Sequence, residues 1–389
     1  MKGLLAFCFA KCFNPVICLD EGTVGRSWRD IRTRIKRYNV MLELIKEQNV
    51  WDNLKNSSKP VVLYGMGLGA EKIMDTLAAY GVEVSDIFAS DEFVRGHSFR
   101  GFKVLKYSEV CEKYKEFNVV LCFASRLDDV IERISEINKE HSVFAPDVPV
   151  AGGGLFSREF IAENEEKFDF VYNHLADEES KKTYLDILNF KVSGRIEYLL
   201  NSFADKEKIY SDILKLSSDE NIIDLGAYDG DTIREFLDYT GGQYSYITAL
   251  EPDEKNFGKL LKNTEELFDI TCLNMGAWDR KDTLIFDGKA GRNSKLSSKG
   301  KATEVIDVDS LELSPTFIKM DIEGAELKAL SGAEKTIKAY KPKLYVCAYH
   351  RNEDLFSLPL KIWELNKDYK IYFRHSKYIP AWESNFYCI

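Results

Sequence analysis

From residue 59 onward the chain alternates short apolar runs with stretches of helical period, a strand, turn and helix pattern that falls into two blocks. The first opens with the apolar run Val61 to Leu63, followed by G-M-G-L-G-A and a helical run through Tyr80. It continues with V-E-V-S-D-I-F-A-S-D, the glycines Gly96 and Gly101 around H-S-F-R, the run F-K-V-L, and a buried strand, Val119 to Phe123. The second block opens with Ile222 and Ile223, ends that run in Asp224, and passes through Gly226 and Gly230 into a helical segment, Thr232 to Tyr239. Strands are then predicted at Tyr246 to Leu250, I-T-C-L-N-M, Thr283 to Phe286, Thr303 to Val308, F-I-K-M-D and K-L-Y-V-C-A-Y-H, with a helix over Asp253 to Phe268. The alternating, aromatic-rich tail from Phe356 to Ile389 predicts antiparallel strands that close the sheet.

Between the blocks, Gly152, Gly153 and Gly154 break the chain, and residues 151 to 210 are charged and helix-forming with no catalytic constellation. They are expected to form a connector that packs over the pocket of the second block. Ahead of the first block, Arg26 to Leu54 carries Ile31, Ile35, Met41, Leu42, Ile45 and Trp51 near helical spacing, which predicts an amphipathic helix or helix pair. The expected fold class is α/β, in four parts: a helical segment over 1–58, a small Rossmann-like domain over 59–150, a helical connector over 151–207, and a doubly wound domain over 208–389.

Composition narrows the function. The chain has 389 residues, 45% hydrophobic and 30% charged, with a formal net charge of −10, which argues against general nucleic-acid binding. No run reaches the roughly twenty apolar residues of a spanning helix. Cys8, Cys12, Cys18, Cys111, Cys122, Cys272, Cys347 and Cys388 form no C-x-x-C pair and several sit in apolar runs, as buried thiols do in a reducing compartment. The start, M-K-G-L-L-A-F-C-F-A-K-C-F, imitates a secretion signal, but Lys11 interrupts its apolar run, so a cytoplasmic location is expected. One loop reverses the acidic balance: Lys289, Arg292, Lys295, Lys299 and Lys301 occur with no acid between them, a pattern suited to an anionic acceptor or to a solvated surface.

The candidate chemistry is concentrated in the second block. Gly226 and Gly230 permit positive φ and close approach of a ligand to the main chain, and the helix start beyond them offers unpaired N–H groups. Glu251 ends the second strand, where an acid in an open α/β sheet commonly takes ribose hydroxyls, so Asp224 and Glu251 together describe a nucleoside pocket. The period-two rule sets Lys319, Asp321 and Glu323 on one face at the end of F-I-K-M-D-I-E-G-A-E.

The succession D-L-G-A-Y-D-G-D-T, E-P, N-M-G-A-W and I-K-M-D-I-E-G-A-E closely resembles the FkbM family of S-adenosylmethionine-dependent O-methyltransferases over roughly residues 208 to 375. Ala227 stands where many methyltransferases carry a glycine, as it does in the FkbM-type pattern. The resemblance implies a class I methyltransferase sheet with S-adenosylmethionine as cofactor. Cofactor contacts would come from Asp224, Gly226, Ala227, Tyr228, Gly230, Thr232, Glu251, Pro252, Asn274, Ala277 and Trp278. Asn274 would supply an amide to the adenine and Trp278 would cover its ring or serve as a core aromatic.

Methyl transfer to oxygen needs a base, and Asp321 and His350, at the ends of neighbouring strands, are the candidates, with Lys319 and Glu323 beside them. Glu323 and Glu326 can instead orient the turn or cap the following helix, and Lys319 is expected to pair with one of these acids. Asp321, Glu323 and His350 would suit a divalent ion, but no spacing signature calls for one and no metal is assigned. The front block, Y-G-M-G-L-G-A, I-F-A-S-D, G-H-S-F-R-G-F-K-V and N-V-V-L-C-F-A, resembles the small domain of PglD-type sugar acyltransferases. That resemblance implies a second nucleotide pocket at Gly65, Gly67, Gly69 and Asp91, for a nucleotide-sugar. The resulting expectation is methylation of a hydroxyl on a sugar or glycan precursor. The rivals are a non-catalytic nucleotide-sugar-binding or scaffolding protein of polysaccharide synthesis, and a nicotinamide-dependent oxidoreductase working through Gly65 to Ala70.

Overall fold

The computed structural model describes residues 41–94, 96, 98–148, 153–286 and 301–389. The cysteine group at 8, 12 and 18, the leader-like start, and Ile31 and Ile35 therefore lie outside the described residues, as do Lys289, Arg292, Lys295 and Lys299 of the basic loop. The described part of the N-terminal amphipathic stretch forms two short helices, Met41–Leu44 and Val50–Asn56.

Sixteen strands are described, and most join two sheets. The front sheet contains β1 (Val61–Tyr64), β2 (Val84–Ala89), β3 (Ser98–Phe99), β4 (Phe102–Lys106), β5 (Asn118–Leu121) and β6 (Ser142–Phe144), in the order β3-β4-β2-β1-β5-β6. All its pairings are parallel except β3 with β4. The larger sheet contains β7 (Asn221–Leu225), β8 (Tyr246–Leu250), β9 (Ile270–Leu273), β13 (Phe317–Met320), β14 (Lys343–Cys347), β15 (Ile371–His375) and β16 (Ser384–Cys388). Its order, β15-β16-β14-β13-β7-β8-β9, reverses direction between β7 and β13 and carries one antiparallel strand, β16, between β14 and β15. The reversal is a topological switch point, so the crevice beyond the carboxyl ends of β7 and β13 is where such a sheet receives a ligand. The strands there are buried on both faces, which is why the sequence shows apolar runs and no alternation. A smaller sheet, β10 (Gly276–Ala277), β12 (Lys301–Ile306) and β11 (Asp282–Phe286), stands apart from both.

The tail differs from expectation at its start. Asp354–Leu365 is a helix, because Leu355, Leu358, Ile362 and Leu365 follow helical spacing and are buried; only β15 and β16 are the expected antiparallel strands. Pro359 inside this helix has no N–H for the carbonyl of Leu355, and the Tyr184 hydroxyl donates to that oxygen at 2.8 Å instead. The connector also differs. Its helix Glu178–Ser193 docks on the edge strand β15, where Ser180 Oγ accepts from the Phe373 amide at 3.0 Å, so it closes the edge farthest from β8 and β9.

One hydrophobic core runs through front sheet, connector and larger sheet, joining Val62 and Phe88 to Tyr184 and Phe190 and to Ile318 and Val346. Two backbone junctions reinforce it: the Ala145 amide donates to the Gly194 carbonyl at 2.7 Å, and Ser125 and Ile379 exchange both hydrogen bonds. The described residues from 41 to 389 accordingly form one compact unit. No helix among the described residues is long and apolar enough to cross a membrane.

Candidate active site

The turn after β7 is built by glycine geometry. Gly226 has φ +83°, and a Cβ there would stand 1.9 Å from the carbonyl oxygen of Asp321, so the turn can lie against the end of β13 only without a side chain. The amides of Gly226 and Ala227 both donate to the Leu250 carbonyl at 2.9 Å, binding the turn to the end of β8. Gly230, at φ +86°, is the N-cap of the helix Asp231–Thr240 and offers no side-chain acceptor to its first amides. Thr232 is satisfied locally, its amide donating to Asp231 Oδ1 at 2.8 Å.

Glu251 stands over this turn. Its carboxylate accepts from the Tyr228 amide at 2.9 Å and the Asp253 amide at 2.8 Å, and its own carbonyl accepts from Asn274 Nδ2 at 2.8 Å. Burial of the carboxyl outweighs these two amides and raises its pKa to about 7. Pro252 packs beside Gly276, whose Cβ position would be 3.8 Å from the proline Cβ. Ala277 is buried in β10, and Trp278 is half-buried beside helix Glu326–Gly332, with Lys328 Nζ 5.6 Å from its ring centre.

Asp224 has no exposure and lies beneath the turn. Parallel pairing places Lys319 of β13 directly opposite it, and Lys319 Nζ sits 3.2 Å from Asp224 Oδ1 while donating to the Gly226 carbonyl at 3.1 Å. The expected pairing of Lys319 with Glu323 or Glu326 is thus corrected: the register of β13 on β7 decides its partner. Burial alone would lower the lysine pKa, but the Asp224 and Asp321 carboxylates more than offset it and raise it above the usual range. Lys319 and Asp224 form a charged floor to the turn.

At the end of β13, Asp321 meets residues from two further segments. Its amide donates to the Leu225 carbonyl at 3.1 Å, and Tyr349 donates its hydroxyl to Asp321 Oδ1 at 3.1 Å. Burial would raise the Asp321 pKa, yet Lys319 and His350 hold it below the ordinary carboxylate value. Glu323 has φ +55°, followed by Gly324 at +94°, so the chain reverses sharply before the helix Glu326–Gly332. Glu326 secures that reversal, its Oε1 accepting from the Ile322 amide at 2.9 Å and the Gly324 amide at 3.4 Å. Against this hairpin lies His350, 1% exposed. Its Nε2 is 3.4 Å from Asp321 Oδ1 and 3.6 Å from Glu323 Oε2, and its Nδ1 is 2.9 Å from Glu326 Oε1. Burial would lower its pKa, but the Glu326, Asp321 and Glu323 carboxylates together raise it to about 10.

The structure therefore gathers Gly226, Ala227, Tyr228, Gly230 and Glu251 at one side of the crevice and Asp321, Glu323 and His350 at the other, with Asp224 and Lys319 below. Tyr349 and Glu326 had not been assigned a part in the chemistry. Strand alternation could not have found Tyr349, because β14 ends at Cys347 and in the segment beyond it Tyr349 and His350 both turn to Asp321. At the front turn, Gly65 packs against Phe123 and Gly69 against the Cys122 carbonyl, with Cβ positions 2.5 and 2.6 Å from those atoms, whereas Gly67 faces open space. Asp91 is exposed in the short helix Asp91–Phe93, and the neighbouring Ser90 pairs with the Tyr64 hydroxyl at 2.8 Å.

Comparison with known proteins bears on the fold. A methyltransferase FkbM from Methylobacillus flagellatus has a similar solved structure, with TM-score 0.67 and 24% identity over 90% of this chain and 93% of that one, so the fold is shared across both sheets. An rRNA methylase from Streptococcus thermophilus (12% identity, 47% of this chain and 92% of that one, TM-score 0.32) and a precorrin-6y methyltransferase from Geobacter metallireducens (13%, 48% and 91%, 0.30) are too distant to bear on function. No curated protein matches the sequence. The family profile described as the methyltransferase FkbM domain matches residues 224–371, which span the glycine turn, Glu251, Asp321 and His350.

Proposed function

We propose that this chain transfers a methyl group from S-adenosylmethionine to a hydroxyl oxygen of a small-molecule acceptor, a sugar or glycan precursor. The observation that carries the reading is the Glu251 carboxylate, buried at the second strand end and fastened to the glycine turn through the Tyr228 amide. Two amides leave its remaining lone pairs for a pair of adjacent hydroxyls, the chemistry of a ribose. The Gly226 turn and the uncapped start of helix Asp231–Thr240 suit the amino-acid part of the cofactor. The cofactor supplies a methyl carbon on a sulfonium, open to in-line attack.

The chain's own residues do the rest. Gly226, held 2.9 Å from the Leu250 carbonyl, fixes the turn, and Lys319 and Asp224 keep it rigid from below. Asp321 and Glu323 present carboxylate oxygens at the far side of the crevice, where they orient the acceptor hydroxyl and take its proton as the oxygen attacks. Tyr349 and His350 are positioning residues that hold Asp321.

Calorimetric titration with S-adenosylhomocysteine tests the reading. Micromolar binding, about −8 kcal/mol, that Glu251→Ala weakens at least about tenfold is the expected result. A folded protein that does not bind overturns it. Product analysis with carbohydrate acceptors then reports whether the methyl group is on oxygen.

A further inference from the structure

The two outer edges of the larger sheet are finished differently. At β15 the connector helix Glu178–Ser193 closes the edge, whereas β9, at the other end of the order, pairs with β8 alone among the described residues. Burial follows the same division. Each of the other six strands has at least four buried residues, and β9 has none. The helix ahead of it, Glu254–Asn263, buries only Leu260, and Phe268, between that helix and the strand, is 83% exposed. Edge strands commonly escape association through a charge, a proline or a covering element. Ile270–Leu273 reads I-T-C-L and carries neither charge nor proline.

The free side of β9 has a definite hydrogen-bonding pattern. The Ile247 amide donates to the Asp269 carbonyl at 3.0 Å and the Glu251 amide to the Leu273 carbonyl at 3.1 Å, which fixes the alternation of this parallel pair. Asp269, Thr271 and Leu273 turn their backbone groups to β8, so Ile270 and Cys272 turn theirs outward. That set is self-complementary. A second β9 turned end for end sets the partner's Cys272 opposite Ile270 and the partner's Ile270 opposite Cys272, and each facing pair exchanges both of its hydrogen bonds. The rim charges complement themselves too: Lys262, Glu265 and Glu266 are all exposed beside the strand, and the same rotation offers Lys262 the partner's Glu265 and the partner's Glu266.

We propose that β9 pairs antiparallel with the β9 of a second copy of this chain across a two-fold axis at Thr271, joining the two larger sheets into one. Such an axis stands perpendicular to the sheet, so the helix layers stay on one face and the two Glu254–Asn263 helices flank the axis, where Phe268 gains cover. Strand direction reverses across the axis, and the two crevices open in opposite directions. Thr271, whose hydroxyl pairs with that of Tyr246 at 2.5 Å, stands at the centre. It faces the partner's Thr271 as a pair without hydrogen bonds, with Cα atoms about 4.5 Å apart. The inference concerns assembly and is independent of the methyl-transfer reading.

Sedimentation equilibrium of the full chain at micromolar concentration tests it. The expected mass is twice the 44.6 kDa of one chain. Phe268→Asp, at a side chain too exposed to support the fold, is expected to raise the dissociation constant at least about tenfold while leaving the unfolding midpoint unchanged. Thr271→Cys is expected to link two chains under mild oxidation, because a Cα separation of about 4.5 Å lies within reach of a disulfide, and peptide mapping locates the link between the two substituted positions. A wild-type chain that sediments at the mass of a single copy overturns the proposal. A dimer that Thr271→Cys does not link overturns it as well, because such a dimer is built on another face.

Discussion

The two glycine turns, Gly65 to Gly69 and Gly226 to Gly230, have the same local grammar of strand, positive-φ glycines and helix start, yet their surroundings differ. Beneath the front turn β1 is wholly apolar apart from the Tyr64 hydroxyl, and Tyr64, Phe88 and Phe123 pack ring on ring at the strand ends. Beneath the second lie a buried lysine and a buried aspartate, and at its neighbouring strand ends stand Glu251 and Asp321. A glycine turn is therefore a statement about backbone shape alone. What the turn can bind is decided by the residues that end the adjacent strands.

The comparison breaks most visibly at the glycines. Gly226→Ala forces a Cβ to within 1.9 Å of the Asp321 carbonyl in addition to imposing φ +83°, and is expected to cost more than about 4 kcal/mol and to abolish S-adenosylhomocysteine binding. Denaturant unfolding with calorimetry reads both effects. Next, Lys319→Met leaves Asp224 buried and uncompensated, a loss of about 3 to 4 kcal/mol. The double variant Lys319→Met with Asp224→Leu, which gives the second turn an apolar floor like the first, is expected to recover most of that stability in the same unfolding assay.

Glu251 gives a pH signature that the front turn lacks. Its folded pKa of about 7 lies above the unfolded carboxyl value, so the folded state holds the proton longer. Its contribution to stability is complete below about pH 4.5 and is lost as pH rises through 7. Glu251→Gln removes this slope, and unfolding curves at pH 5 and pH 8 should show the variant gaining up to about 3 kcal/mol on wild type at the higher pH. The smallest effect is at Gly67, where nothing lies within 4 Å of a Cβ but φ is +117°. Gly67→Ala is expected to cost about 1 to 2 kcal/mol and to leave S-adenosylhomocysteine binding unchanged.

Much of this was legible in the sequence because both sheets are built from short apolar runs closed by glycine or acid. The neighbouring positions of Asp321 and His350 followed from strand order alone. Lys319 was assigned the wrong partner because cross-strand register, which sets Lys319 opposite Asp224, is invisible until β13 is laid on β7. The helix Asp354–Leu365 was hidden by Pro359 and by surrounding aromatics that read as strand. The four expected parts were placed where composition changes, but composition carries no record of a core such as the one joining Phe88, Phe190 and Val346. At the front turn, G-M-G-L-G-A announced a shape and could not announce that Phe123 packs on Gly65.

The position of β16 bears on time as well as space. Ser384–Cys388 enters between β14 and β15, so the larger sheet is completed from its interior by a segment synthesised after both of its neighbours. Until that segment leaves the ribosome, β14 and β15 each present an unpaired edge. The front sheet has all six of its strands by residue 144, and can pair them while the rest of the chain is still being made. The half that carries the candidate chemistry is therefore the last to close, and a nascent chain holds a formed glycine turn at residue 65 well before it can hold one at residue 226.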